Sequence, residues 1–119
     1  MPAADPRAFL PLKPAELQIL LLLAREPLHG YALLKEAERE SAGVSLEVGS
    51  LYRILRRLLE QGLVEEQPGD GGALAPGRPR RSYRMTSLGR AVAQAEAERL
   101  EQVVSAARAA RLLRPRGRA

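Results

Sequence analysis

The sequence predicts a mainly α fold with a small β-hairpin, and three observations predict it. Apolar residues recur at helical period, most cleanly as Leu51, Ile54, Leu55 and Leu58. A stretch rich in glycine and proline, Pro68 to Arg80, separates two short runs of strand character, Leu63 to Gln67 and Ser82 to Met85. The last periodic stretch, from Thr86 to about Leu113, spans roughly 40 Å at about 1.5 Å per residue, much longer than a small body needs.

Each element follows in order. Met1 to Leu12 carries Pro2, Pro6 and Pro11 and reads as an irregular arm. A first helix starts at Pro14, a good first-turn residue, and reaches about Glu26 before Pro27 stops it. Leu17, Leu20, Leu21 and Leu23-Ala24 give it a wide apolar face. His29-Gly30 opens a second helix that runs to about Ser41, with Tyr31, Leu33, Leu34 and Ala37 as its apolar side and Gly43 as its close. Val44-Ser45-Leu46 links it to the third helix, which Gly62 ends as a left-handed cap. The two strand runs then form a hairpin with a long mobile tip. Thr86 is a good N-cap for the last helix, and Pro115 to Ala119 is a basic tail. The divisions are an arm (1–12), a compact body (13–85), a long helix (86–113) and a tail (114–119). Three helices, a hairpin and a long helix make a winged helix-turn-helix with a C-terminal extension.

Composition narrows the function. At 119 residues the chain is one domain with a modest core. A formal charge of +5 favours a polyanionic partner. The absence of cysteine excludes disulfides, thiolate metal sites and cysteine nucleophiles, and the lone His29 cannot build a metal cluster. Glu65-Glu66 and Glu96, Glu98 and Glu101 read as solvated charge rather than general acid–base groups, since no histidine or serine elbow accompanies them. Gly69 to Gly72 precedes no lysine-serine pair and opens no helix, so it is no phosphate loop. An enzyme and a cofactor are not expected. Ile19 to Ala24 is too short to span a bilayer, and Met1 to Pro11 lacks a secretory pattern, so the expected location is cytoplasmic, without a membrane partner.

The third helix carries the chemistry. Opposite its apolar stripe lie Ser50, Arg53 and Arg57, flanked by Tyr52 and Arg56. Hydroxyl, phenol and guanidinium tips on one face suit a DNA major groove, where they meet base edges and phosphates. Ser50 also suits a helix-capping role, and Tyr52 suits packing as well as contact. Arg53, Arg56 and Arg57 also suit a solvated basic face; Arg53 and Arg57 are favoured for DNA because they share the Ser50 side, with Arg57, further along, placed for phosphate ahead of a base. Arg78, Arg80 and Arg81 surround Pro79 on the wing, where phosphate contact is expected ahead of minor-groove insertion. His29 reads as a locally packed helix-opening residue rather than a pH sensor.

Several motifs stand in the order of a known family. His29-Gly30-Tyr31, Gly49-Ser50-Leu51-Tyr52, Leu58 to Val64, Gly77-Arg78-Pro79-Arg80-Arg81-Ser82-Tyr83 and Met85-Thr86-Ser87-Leu88-Gly89-Arg90 resemble the PadR transcriptional regulators. The resemblance covers roughly Leu12 to Leu113, and the lack of a domain after the long helix resembles the short PadR subfamily. It implies a dimeric, DNA-binding repressor that answers a small molecule or another cue. Three departures stand out. Lys13 occupies the place of a capping threonine, Arg53 that of a proline which often follows the helix-three tyrosine, and the wing tip is longer than usual.

The expected function is therefore sequence-specific binding of double-stranded DNA by a homodimer on a pseudo-palindromic operator. The competing reading is a winged-helix module that contacts protein; RNA binding ranks third, because exposed aromatics for stacking are scarce. Leu88, Val92, Ala95, Leu100, Val103 and Ala107 form the expected dimerisation stripe on the last helix. An effector site is expected in the dimer cleft between the long helices and helix one, walled by leucine, valine and alanine with arginine or glutamate at the rim. With no tryptophan in the chain and its one phenylalanine in the arm, an aliphatic or anionic metabolite, or control by protein level alone, is expected ahead of planar dyes.

Overall fold

A computed structural model describes residues 4–39, 48–75 and 78–115. The elements run α1 (Pro14–Leu23), β1 (Leu28–His29), α2 (Gly30–Arg39), α3 (Val48–Glu60), β2 (Val64–Ala75), β3 (Arg78–Met85) and α4 (Ser87–Ala109). The helices pack around one core, supplied by Ile19, Leu20, Leu22 and Leu23 of α1, Leu33 and Ala37 of α2, and Leu51, Leu55 and Leu58 of α3. Leu63, Val64 and Tyr83 of the hairpin and Val92 and Ala93 of α4 close it. This is the expected winged arrangement. The Gly43 cap and the Val44–Leu46 link lie outside the described residues, as do Pro76-Gly77 at the wing tip and the tail from Arg116 on.

Helix α1 has more apolar residues than it can bury. Successive side chains turn by about 100°, so four consecutive leucines cannot share one face. Leu21 is left 51% exposed, contrary to the expected core set. The helix stops at Leu23, earlier than expected, and a turn precedes Pro27. Lys13, which has no side-chain acceptor, is compensated from the other end of the first turn. The Glu16 carboxylate accepts from the Lys13 backbone N–H at 2.8 Å, one half of a capping box.

The sheet has one strand more than expected, in the order β1-β3-β2. Leu28 and His29 pair antiparallel with Tyr83 and Ser82. A strand of two residues carries no readable alternation, which is why the sequence does not announce it. The wing strands are also longer than expected, running to Ala75 and from Arg78. Register shifts between Pro68 and Ala73 and again before Ala75 absorb the glycines and prolines as irregularities in the ladder.

The joint between α3 and α4 is built from backbone. Gly62 takes φ +77°, and the Leu63 N–H donates to Leu58 O at 3.0 Å while the Gly62 N–H donates to Leu59 O at 3.1 Å. That pair of bonds is a Schellman cap. Thr86 then reaches the cap from the other helix. Its hydroxyl donates to Gly62 O at 2.6 Å and accepts from the Gly89 N–H at 3.0 Å, while its own N–H donates to Leu63 O at 3.1 Å. A Cβ on Gly89 would lie 2.0 Å from Leu63 O, so α4 sits against the α3 cap as closely as backbone allows.

The N-terminal arm is not irregular throughout. Pro6–Phe9 forms a 3₁₀ turn capped by Asp5, whose side chain accepts from the Arg7 N–H at 3.0 Å. The turn packs on α4, and Phe9, Leu10 and Leu12 lie against the core. Its anchor is Glu96, which is 1% exposed and not the solvated carboxylate that sequence suggests. Glu96 accepts from the Leu12 backbone N–H at 2.9 Å and from Arg99 Nε and Nη2 at 2.5 and 3.0 Å. Val92 is also fully buried in the protomer. It faces the same body that the 3₁₀ turn and α1 cover, so it belongs to the core and not to an intersubunit stripe. Helix α4 ends at Ala109, short of Leu113, through a second Schellman cap with Arg111 at φ 63°, where the Leu112 N–H donates to Ala107 O at 2.8 Å.

Two outcomes follow from this packing. Gly89→Ala should cost about 3 kcal/mol in urea unfolding, because the clash is with backbone that cannot swing aside. The paired Arg99 guanidinium, helped by the Leu12 N–H, holds the Glu96 carboxyl below the usual carboxylate range against the opposing effect of burial. The stability it contributes is fully present above about pH 4.5 and is lost as pH falls through the lowered folded value. Glu96→Gln should lower the neutral-pH midpoint and flatten the acid limb of the stability curve.

Candidate nucleic-acid interface

Helix α3 sorts its residues cleanly. Leu51, Leu55 and Leu58 are buried, with Ile54 and Leu59 packed beside them, while Tyr52, Arg53, Arg56 and Arg57 are exposed on the other side. Ser50 is the third residue of α3 and does not cap it. Its Oγ accepts instead from Arg53 Nη2 at 3.2 Å, which draws the guanidinium along the helix surface. Arg57 lies apart from that pair, its Nε 3.9 Å from the Glu16 carboxylate at the start of α1. The expected Ser50–Arg53–Arg57 side is thus divided: the first two interact, and the third turns toward α1.

Tyr52 is at once packed and exposed. Its ring lies across Gly30, where an added Cβ would stand 2.5 Å from the phenol oxygen, yet the residue remains 47% exposed. The glycine opening α2 is therefore a seat for a side chain of α3. Tyr31, next in the chain, is exposed rather than on the buried side of α2, and Lys35 lies 5.6 Å from its ring centroid. From sequence Tyr31 is expected on the apolar side of α2 and is not paired with Lys35. The i, i+4 spacing of an aromatic and a lysine is the signal that could have found it.

The wing root lies beside α3. In the β2–β3 register Glu66 stands opposite Tyr83 and Pro68 opposite Arg81, so these residues share the face that begins in the core with Val64 and Met85. Tyr83 is buried and stands directly across the ladder from Glu66. Burial first, then the charges of Glu66 and Tyr52, push the Tyr83 phenol above its ordinary value, against the nearby Arg81. Arg81 Nη1 stands 3.5 Å from Glu66 Oε1 with its side chain well exposed. On the opposite face Arg84 pairs with Glu65, so the two glutamates are ion-paired rather than free in solvent. Arg78 and Arg80 lie on β3 toward the hairpin tip. Through Gly30, which follows the β1 residues paired with Tyr83 and Ser82, Tyr52 joins the α3 face to the wing root.

Elsewhere, an apolar groove of about 480 Å³ runs between α1 and α4, lined by Leu12, Leu17, Leu21, Leu22 and Leu100, with Arg25 and Arg99 along it. Beyond it the outer turns of α4 project from the body, with Val103 51% and Leu112 79% exposed. Leu88 packs against the core, and Ala95 and Ala107 are half-buried. No group of three or more potential metal ligands occurs among the described residues.

Comparison with known proteins bears on this geometry. Residues 19–95 match the model of the transcriptional regulator PadR-like family. A PadR family regulator from Eggerthella lenta DSM 2243 is similar at 29% identity and TM-score 0.58, over 92% of this chain and 87% of that one. A PadR family regulator from Clostridium difficile R20291 shares the fold at TM-score 0.67 and 18% identity, over 78% of this chain and 93% of that one. Bacillus subtilis PadR in complex with operator DNA is similar in fold at TM-score 0.61 and 21% identity, over 76% of this chain and 48% of that one. No curated protein matches the chain.

Proposed function

The chain belongs to the PadR-like family of transcriptional regulators, and from that premise we propose that it acts as a homodimeric repressor that reads a pseudo-palindromic operator. Membership makes it a regulator and not an enzyme. The observation that carries the DNA reading is the exposed Tyr52, Arg53 and Arg56 face of α3, with Arg81 of the wing root beside it. Polar and cationic tips there can enter a major groove while wing arginines meet phosphate. The fold likeness to Bacillus subtilis PadR, a protein seen with operator DNA, supports the same reading over a protein-binding winged module.

The dimer reading rests on the outer half of α4. Its apolar residues Leu100, Val103 and Ala107, with Leu112 beyond the helix end, are more than this protomer covers. The radius of gyration, 16.5 Å, exceeds the roughly 13–14 Å of a compact domain this long, as a projecting helix and wing require. A two-fold pairing through these turns would set two α3 helices on successive turns of DNA, about 34–36 Å apart or a multiple of that. The α1–α4 groove, with leucine walls and Arg25, Glu96 and Arg99 along it, is the place we propose for an effector of aliphatic or anionic character. No helix among the described residues is long and apolar enough to cross a membrane.

Recovering bound fragments from the protein's own genome tests the function; no enrichment at moderate salt would favour the protein-binding module. Against a recovered operator, Arg53→Ala should cost roughly 1–3 kcal/mol and relax one position of specificity. Unchanged affinity and specificity would mean that α3 is turned otherwise on the DNA. Val103→Asp should give monomers in sedimentation, with much weaker operator binding. A wild-type protein that is monomeric at micromolar concentration would remove the dimer.

A further inference from the structure

A carboxylate at the junction of α3 and the wing is unexpected on a face that meets a polyanion. Glu66 is there, and it is not a loose surface charge. It stands directly across the β2–β3 ladder from Tyr83, whose ring belongs to the core, and Arg81 Nη1 stands 3.5 Å from its Oε1. One end of the arrangement is therefore fixed by the fold and the other presents a guanidinium to solvent. Tyr52 reaches the same end of the sheet from α3, seated on Gly30, which follows the β1 residues paired with Tyr83 and Ser82.

We propose that Glu66 is a specificity-determining residue that positions Arg81 and withholds it from non-specific phosphate contact. The proposal rests on the DNA-binding reading above and adds to it a residue that no sequence motif marks. Non-specific binding is made almost entirely of phosphate contacts by cations free to follow the backbone. An arginine already drawn to a tethered carboxylate serves that purpose poorly, and the carboxylate itself repels phosphate. Binding at an operator differs, because a guanidinium held at one place loses less freedom when it docks at one place. Specificity is the difference between the two affinities, so a group that lowers the weaker one raises it.

Glu66→Gln keeps the side-chain shape while removing the charge. Wild type and variant are titrated against a mixed-sequence 30-bp duplex and against an operator fragment recovered from the genome, across a salt series, with thermal midpoints measured alongside. One further phosphate contact steepens the log–log salt slope by roughly 0.9, which corresponds to about fivefold tighter binding near 0.15 M salt. The expected result is that gain on the mixed duplex, a smaller gain or a loss on the operator, and an unchanged midpoint. An unchanged slope and affinity on the mixed duplex, or equal gains on both duplexes, would overturn the role of Glu66 and leave DNA binding standing. A wild-type protein that binds neither duplex would instead overturn the DNA-binding reading itself, and this proposal with it.

Discussion

Leu63 is the residue on which the arrangement of the molecule turns, and its backbone matters more than its side chain. Its N–H closes the cap of α3, its carbonyl accepts the Thr86 N–H, and its carbonyl oxygen is the atom against which Gly89 rests. The Thr86 hydroxyl bonds the preceding carbonyl at 2.6 Å. A few backbone atoms therefore fix three directions at once: where α3 ends, where β2 leaves and where α4 begins. The exposed face of α3 is held at a set angle to the long helix without a large interface between them, because backbone hydrogen bonds and a Cβ-free contact tolerate little drift.

The parts of this design legible in the sequence are the local ones. The stripe of Leu51, Ile54, Leu55 and Leu58 is written in helical period, and Gly62 and Thr86 announce their caps by residue type. What the sequence hides is contact between residues far apart in the chain. Gly30 looks like a helix-opening glycine, but its lack of a side chain is used by Tyr52. Glu96 looks like one of several acidic residues on an exposed helix, yet it is buried because Leu12 and Arg99 satisfy it. Leu21 and Val92 change places for the same reason: periodicity identifies an apolar face but not which neighbour covers it. The pairing of β1 with β3 is invisible because two residues cannot show a pattern. In the candidate site, residue types alone place exposed hydroxyl, phenol and guanidinium groups on α3 and arginines on the wing, while the partners that orient these arginines came only from three dimensions.

Those partners give the basic face its character. Arg53 is drawn to Ser50, Arg57 approaches Glu16, Arg81 approaches Glu66, and Arg84 pairs with Glu65. Exposed pairs of this kind add little to stability, with medians of about 0–1 kcal/mol. Their effect is directional. An arginine with a neighbour of its own occupies fewer rotamers than a free one, so the face presents charge at particular points. A chain with 19 basic and 14 acidic residues can in this way be basic overall without behaving as an adhesive surface.

The grip of Glu96 on the Leu12 N–H has a mechanical consequence. It pins the chain one residue before the cap of α1 to the middle of α4, so these two helices cannot slide past each other without breaking a buried bond. Turning α4 about its axis drags the first turn of α1, and with it Glu16 and whatever Glu16 touches. The inner half of α4 is thus part of a rigid chassis. From Leu100 outward no such pin exists among the described contacts, and the remaining turns can flex like an exposed rod. A load on the outer turns would be taken up there, as bending of the rod, leaving the core and the α3 cap undisturbed.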